Sequence, residues 1–438
     1  MVMMRLVSTD AAALQAAPAT RRERAPALAG AWIVSAGMLA SGLLIYVFHA
    51  GAARALGSTA YGHIAVLWAA MFLVVIVVFR PLEQASARAI ADRQARGEDA
   101  RQVVRSVLLL GLCAFAILTP LTLLAWGAVT NGLFAGDDRM TAWLLVGIVS
   151  YGIAYISRGL ITGARWFAGY GIGLMADAVS RLLIAVPLLF VASLPVAAAA
   201  VTVAGLVGAV VPLLVGRKHI EPVFEGTPGE DFKLGRTLRF AAPASTIAAA
   251  DQLLVNCSPL LVVLEGGSAE VAGLVFAATM LVRVPTYVFQ GLASSILPNL
   301  TRLNAGENSD RFRRATVETA VFLAGAGAVI VAFAAVVGPE ALRMIYGPDF
   351  DAGRGSLVLL GVGVAFYLSA TTFSQALLAL ECSGRASIAW IVSAVLFVSL
   401  YFTLPGAELE RVSLAFAVAT LVDLVLLAGL LHRRTRAG

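Results

Sequence analysis

Five ionisable side chains fall in the middle of long apolar runs: Asp177, Arg181, Asp251, Arg283 and Asp423. A charge at bilayer depth costs roughly 2.5–3.5 kcal/mol on insertion scales, so such residues face a hydrated cavity, pair with one another, or serve an ion pathway. Asp177 and Arg181 stand four apart and can pair on one helix face. That pair either glues helices together or offers a partly neutralised cation to a ligand. Arg283 has no acid within four residues on its own segment. Its counter-charge is either Asp251, on the preceding apolar run, or an anionic ligand. Asp423 has no obvious partner and either bonds a neighbouring helix or exchanges a proton. Asn256 and Gln290 add polar surface near Asp251 and Arg283. Arg80 and Glu83 flank Pro81 at the end of another run. There Arg80 either snorkels to headgroups or floors a cavity beside a proline kink.

Only long apolar elements can hold these groups at such depth. The chain is 60% hydrophobic and 13% charged, against about 45–50% and about 25% in soluble domains. A spanning helix needs about 20 mostly apolar residues. Twelve segments qualify: 28–51, 61–80, 104–128, 141–160, 170–192, 195–216, 240–264, 271–297, 316–337, 356–380, 386–404 and 412–431. Backbone groups in lipid must bond internally, which leaves helices or a closed barrel. The runs are continuous rather than alternating and about twice the length of a barrel strand, so they are expected to be helices. The expected fold is all-α and integral to the membrane.

Placing the N-terminus inside puts 25 of the 32 Lys and Arg residues in cytoplasmic segments. Arg54, Arg139, Arg343, Arg354 and Arg411 fall outside, and Arg181 and Arg283 lie within spans. The asymmetry predicts cytoplasmic termini in a cytoplasmic membrane. It also makes the net charge of +6 a topology signal and not a nucleic-acid footprint; Arg158 and Arg165 belong to it. Residues 1–27 are expected to be a cytoplasmic tail and not a signal peptide, because the first apolar run is too long for one. Cys113, Cys257 and Cys382 and the four histidines match no disulfide framework, metal site or other cofactor site.

The stretch 217–239 carries Pro222, Gly226, Pro228, Gly229 and mixed charges, and is expected to be a flexible connector. It separates an N-lobe (28–216) from a C-lobe (240–431), with a short cytoplasmic tail at 432–438. Six spans on each side, both sets starting inside, is a parallel-repeat transporter layout. Leu56-Gly57-Ser58 before span two is echoed by Gly266-Gly267-Ser268 before span eight.

Several motifs occur in order along most of the chain. Ala53-Arg54-Ala55-Leu56-Gly57 is followed by Tyr61-Gly62. Arg158-Gly159-Leu160 to Gly163 leads into an aromatic-rich turn. Leu297-Pro298 ends span eight, and Gly338-Pro339-Glu340 to Ile345-Tyr346-Gly347-Pro348-Asp349-Phe350 follows span nine. This series resembles the MOP superfamily of multidrug, oligosaccharidyl-lipid and polysaccharide exporters. Within it, the twelve-span Wzx-type flippases are the most similar branch; the lipid II flippases usually have fourteen spans. The resemblance implies two six-helix lobes forming a V around a central cavity, with spans one, two, seven and eight lining it, and alternating access.

The function so implied is flipping of a polyprenyl-diphosphate-linked oligosaccharide for cell-surface polysaccharide synthesis. Arg283, with Arg80 or Arg181, would neutralise the diphosphate, beside Asn256 and Gln290. Asp251, Asp423 or Asp177 would take a coupling proton or sodium ion. Such a protein would work with membrane lipids and with envelope glycosyltransferases and a polymerase. A drug or small-solute exporter of the same fold is the alternative. An envelope glycosyltransferase or polymerase is a weaker one, since the outer loop 52–60 contains no Asp or Glu. No Walker motif is present, which argues against direct use of ATP.

Overall fold

The computed structural model describes residues 21–228, 234–284, 309–380 and 382–436. Gln290, Pro285 and Leu297-Pro298 lie outside them, as does most of the expected N-terminal tail. Within the described residues every one of the twelve expected spans begins on a helix. The one extended pairing among them is a lone bridge between Glu98 and Thr227. Eight helices are long and apolar enough to cross a membrane, or ten when two bent pairs each count as one span. One of the eight is itself broken at Gly57, and span eight is described only over 269–284. The chain is a multi-pass membrane protein with an all-α fold.

The first helix, Arg21–Ala95, runs for 75 residues with one non-helical residue, Gly57 (φ 76°, ψ 174°). Glycine reaches that positive φ without a Cβ clash. The loop expected over 52–60 therefore shrinks to a corner, and helix runs up to it on both sides. We call the face bearing this corner outer. Span two also outruns its expected end at Arg80 by fifteen residues, to Ala95, or about 22 Å at 1.5 Å per residue. The helix continues unbroken through Pro81. Leu82, Ala85 and Ile90 keep a buried face beyond it, and tertiary packing of that face holds the helix despite the lost hydrogen bond. The partner surface is the end of span four, Asp138–Gly163. A Cβ on Gly159 would lie 2.1 Å from Ser86 Oγ, and one on Gly163 2.7 Å from Ile90 Cβ. Small residues let the two backbones approach, as in other membrane helix pairs.

Two later spans are broken, each beside a proline. Leu234–Asn256 and Ser258–Leu264 meet at Cys257 with a 66° bend. Ser309–Val336 and Gly338–Tyr346 meet at Val337 with a 75° bend. Pro259 and Pro339 sit in the first turn of the second piece, where a missing N–H is tolerated. Spans ten to twelve are Arg354–Ala379, Ser383–Thr403 and Glu408–Arg436. Spans one to six pack chiefly on one another, as do seven and nine to twelve; the halves meet where spans one and two touch seven and eight.

The connector differs from expectation in its first half. Arg217–Ile220 is helical and Glu221–Phe224 forms a 3₁₀ turn. The segment is then tied to the turn between spans two and three: Asp99 N donates to Thr227 O at 2.9 Å, Thr227 N to Gly97 O at 3.1 Å and Ala100 N to Val223 O at 2.9 Å. Arg101 Nε adds a bond to Phe224 O at 3.1 Å. A proline- and glycine-bearing stretch is ordered here because its backbone groups find fixed partners in another loop.

Candidate functional site

The N-lobe buries a polar cluster built from spans two, four and five, the last being Phe167–Ala185. Arg181 is 1% exposed, and its Nη2 donates to Asp177 Oδ1 at 2.6 Å and to the Tyr151 hydroxyl. Tyr151 OH in turn donates to Asp177 Oδ1 at 3.0 Å. The local pairing expected from the four-residue spacing is therefore present. Arg158, expected to be a topology residue at a span end, is instead buried. Its Nη2 lies 3.6 Å from Asp177 Oδ2, and its guanidinium stacks 5.1 Å above Tyr155. The Arg181 guanidinium sits 5.1 Å over Trp68. Arg80 Nη1 pairs with Glu83 Oε2 at 3.3 Å, with 35% of the Arg80 side chain exposed. Three arginines thus face two carboxylates. Nε and Nη1 of Arg181 and Nε of Arg80 have no hydrogen-bond partner among the described residues.

The C-lobe holds Asp251, Arg283 and Asp423 in separate settings. Pro259 lacks the N–H that would bond Val255 O four residues back. Arg283 Nη1 supplies that bond at 2.7 Å and reaches Asn256 Oδ1 at 3.4 Å. Asn256 Nδ2 donates to Gln252 Oε1 at 3.1 Å. Arg283 thereby stitches span eight to the break in span seven. The cavity it lines with Ser258 and Thr279 has a volume of about 10 Å³, room for about one water. Asp251 Oδ1 accepts from Tyr367 OH of span ten at 2.7 Å, and both Arg283 and Arg80 act on it electrostatically. Asp423 is 1% exposed. Its Oδ1 takes no hydrogen bond from the described residues, although the Ser393 hydroxyl lies beside it. Among the described residues no group of three or more His, Cys, Asp or Glu could hold a metal ion.

Between the lobes, the outer ends of spans one, two and eight form a seam. A Cβ on Gly62 would lie 1.7 Å from Ala269 O, and one on Gly273 2.9 Å from Ser58 O. Tyr46 OH donates to Met280 O at 2.7 Å. Tyr61 packs on Phe276, Tyr346 and Phe350 with ring centroids 5.7–6.4 Å apart. The Tyr346–Phe350 motif of the sequence is therefore the part of the C-lobe that closes over span two. Nearer the inner end, Ser245 Oγ donates to Gln84 Oε1 at 3.1 Å.

No protein-family profile matches the chain. The chain is similar to solved transporters over nearly its whole length. An inward-facing MATE family multidrug transporter of the MOP superfamily aligns over 92% of this chain and 98% of its own, with TM-score 0.69 and 15% identity. The fold is that of the MATE transporters. The outward-facing form of a MATE transporter aligns over 93% and 96% with TM-score 0.60 and 16% identity. VcmN, the Vibrio cholerae MATE transporter, aligns in its bent form over 93% and 97% with TM-score 0.61 and 15% identity. At this identity the likeness fixes the MATE fold and no substrate. Among curated proteins, two uncharacterized proteins of Mycobacterium tuberculosis are similar. One is 27% identical over 259 residues, 58% of each chain, and the other 28% over 299 residues, 67% of each. The first match thus spans 58% of that relative's length.

Of the residues expected to form the site, Asp177 and Arg181 are joined and Arg80 lies near Asp251 across the lobes. Arg283 and Asn256 hold the span-seven break together, Asp423 is apart, and Gln290 lies outside the described residues. Tyr151 and Tyr367 do not stand out in the sequence, and Arg158 stands out only as a topology residue. Their partners are far away in sequence, and neither tyrosine carries a formal charge that would single it out in an apolar run.

Proposed function

We propose that this protein is an alternating-access transporter of the cytoplasmic membrane, termini inside, that flips a polyprenyl-diphosphate-linked oligosaccharide between leaflets. The observation that carries the reading is the excess of one positive charge in the N-lobe cluster. Within the N-lobe, Arg80, Arg158 and Arg181 stand against Glu83 and Asp177, Asp251 of the C-lobe acts on Arg80 from across the lobes, and Nε and Nη1 of Arg181 and Nε of Arg80 lack partners among the described residues. Within a membrane such an excess favours a multivalent anion. Arg80, the most exposed of the three, would meet the diphosphate first, while the glycan crosses between the lobes and the lipid tail stays in the bilayer. Asp423 and Asp251 are the candidates for a coupling proton or sodium ion. The six-plus-six arrangement of 28–216 and 240–431 supplies the two rocking bodies, and envelope glycosyltransferases and a polymerase would act before and after.

The test is deletion of the gene with mass spectrometry of membrane lipid-linked oligosaccharides and of surface glycan. A flippase predicts build-up of the completed lipid-linked unit and loss of surface polymer, reversed by the wild-type gene and not by Arg80→Ala. Unchanged pools of both would refute the reading. They would favour the second one, an exporter of cationic solutes, for which the buried Asp423 and Asp251 supply the acids.

A further inference from the structure

His49 has no part in the reading above. It lies near the outer end of span one and is fully buried in the seam between the lobes. Its ring contacts Phe48, Tyr61, Trp68 and Phe276 edge-on, with centroids 4.8–6.0 Å away. Two of these residues belong to span two and one to span eight, so the imidazole is packed by both lobes at once. Nδ1 lies 3.2 Å from Tyr61 OH. Nε2 has no hydrogen-bond partner among the described residues.

An imidazolium must donate from both nitrogens, and a buried ionic donor without an acceptor is strongly unfavourable. The closed seam supplies one oxygen and three apolar walls. The groups facing the ring from each element are few. Tyr46 shares its span, Tyr61 and Trp68 come from span two, and Phe276 comes from span eight. Tyr346 of the outer helix lies behind Tyr61. The charged group near it among the described residues is Arg181 of span five, stacked 5.1 Å over Trp68. No carboxylate of the described residues takes part.

We propose that His49 is a proton-binding site of the outer seam. The seam closes only on the neutral ring, and a proton taken up from the outer side keeps the lobes apart there. Proton occupancy and outer closure are then mutually exclusive, which is the elementary requirement for coupling a proton to alternating access. The inference holds for any substrate.

The test uses the full-length protein in lipid nanodiscs, with Cys113, Cys257 and Cys382 changed to Ala and spin labels at Asn131→Cys and Ala407→Cys, one on each lobe's outer surface. Electron–electron distance measurements are made at pH 7.5 and 5.5. If closure expels one proton from a histidine with an ordinary open-state pKa of about 6.5, the open-to-closed ratio rises about tenfold over this range. His49→Gln, which keeps a polar group facing Tyr61 and cannot titrate, should abolish the response; His63→Gln and His219→Gln should retain it. A wild type without pH response, or a His49→Gln protein that responds as wild type does, overturns the proposal. Should His49→Gln fail to fold, hydrogen exchange of the wild type decides. Segments 45–53 and 269–277 must exchange faster at pH 5.5 after correction for the intrinsic rate, and equal protection at both pH values overturns it.

Discussion

Gly62→Ala is the sharpest perturbation of the interlobe seam. The added Cβ would stand 1.7 Å from the carbonyl oxygen of Ala269. An ordinary contact is about 3.2 Å or more, so the two backbones must separate by about 1.5 Å. The obstacle is backbone on a packed helix and cannot swing aside as a side chain would. Overpacking of this kind costs about 1–3 kcal/mol, which shifts a two-state closed-to-open ratio by about 5- to 160-fold. At Gly273 the corresponding approaches are 2.9 Å to Ser58 O and 3.0 Å to Gly62 Cα, and a few tenths of an ångström of relaxation suffices. Gly62→Ala should therefore open the outer seam far more than Gly273→Ala. The same labels at Asn131→Cys and Ala407→Cys report it, with Gly51→Ala, where the added Cβ meets nothing within 4 Å, as the silent control. The reasoning fails if Gly273→Ala opens the seam as much as Gly62→Ala does. It also fails if Gly62→Ala leaves the distance distribution of wild type.

Arg181→Met should destabilise the fold by about 3–5 kcal/mol, because Asp177 loses its close cation and keeps the Tyr151 hydrogen bond and the longer Arg158 contact, whereas Arg181→Met with Asp177→Leu should recover most of the loss; steric-trap unfolding in bicelles measures both. Arg283→Met leaves the Val255 carbonyl without its donor and should cost about 1–3 kcal/mol. Pro259→Ala restores an N–H to that carbonyl, so the double variant should lose markedly less than the sum of the singles, and additivity would disprove the stitching role. At the outer surface, the hydrogen bond from Arg411, with the Tyr401 hydroxyl close by, holds Glu265 below the usual carboxylate range. A depressed native value contributes stability at neutral pH that is lost as pH falls through it. Thermal midpoints of wild type and Glu265→Gln should thus differ most near neutrality and converge in acid.

The apolar runs were enough to place the helices, since lipid leaves the backbone few alternatives, and the four-residue spacing was enough to find the Asp177–Arg181 pair. Arg158 was misassigned because its depth depends on Gly159 and Gly163 drawing the extended span two alongside, a contact between segments about seventy residues apart in the chain. Arg283 acts on Asp251, as one of its expected alternatives has it, but its short hydrogen bond goes to a backbone carbonyl. The signal lay in Pro259, four residues after Val255, where a proline strips a carbonyl of its donor. His49 carried no pattern at all; only the packing of span eight on spans one and two turns an ordinary residue of an apolar run into a ring enclosed by both lobes.

Anchoring residues 217–227 against the turn after span two shortens the leash between the lobes. From Thr227 to Leu234 there are seven virtual bonds, which reach at most about 25 Å when fully extended. One end is pinned to the N-lobe at Gly97, Asp99 and Ala100, so the cytoplasmic start of span seven cannot travel farther than that from the span two–three turn. A chain that looks joined by a loose strap is hinged by a short one, and the strap sets a mechanical limit on how widely the inner mouth can gape.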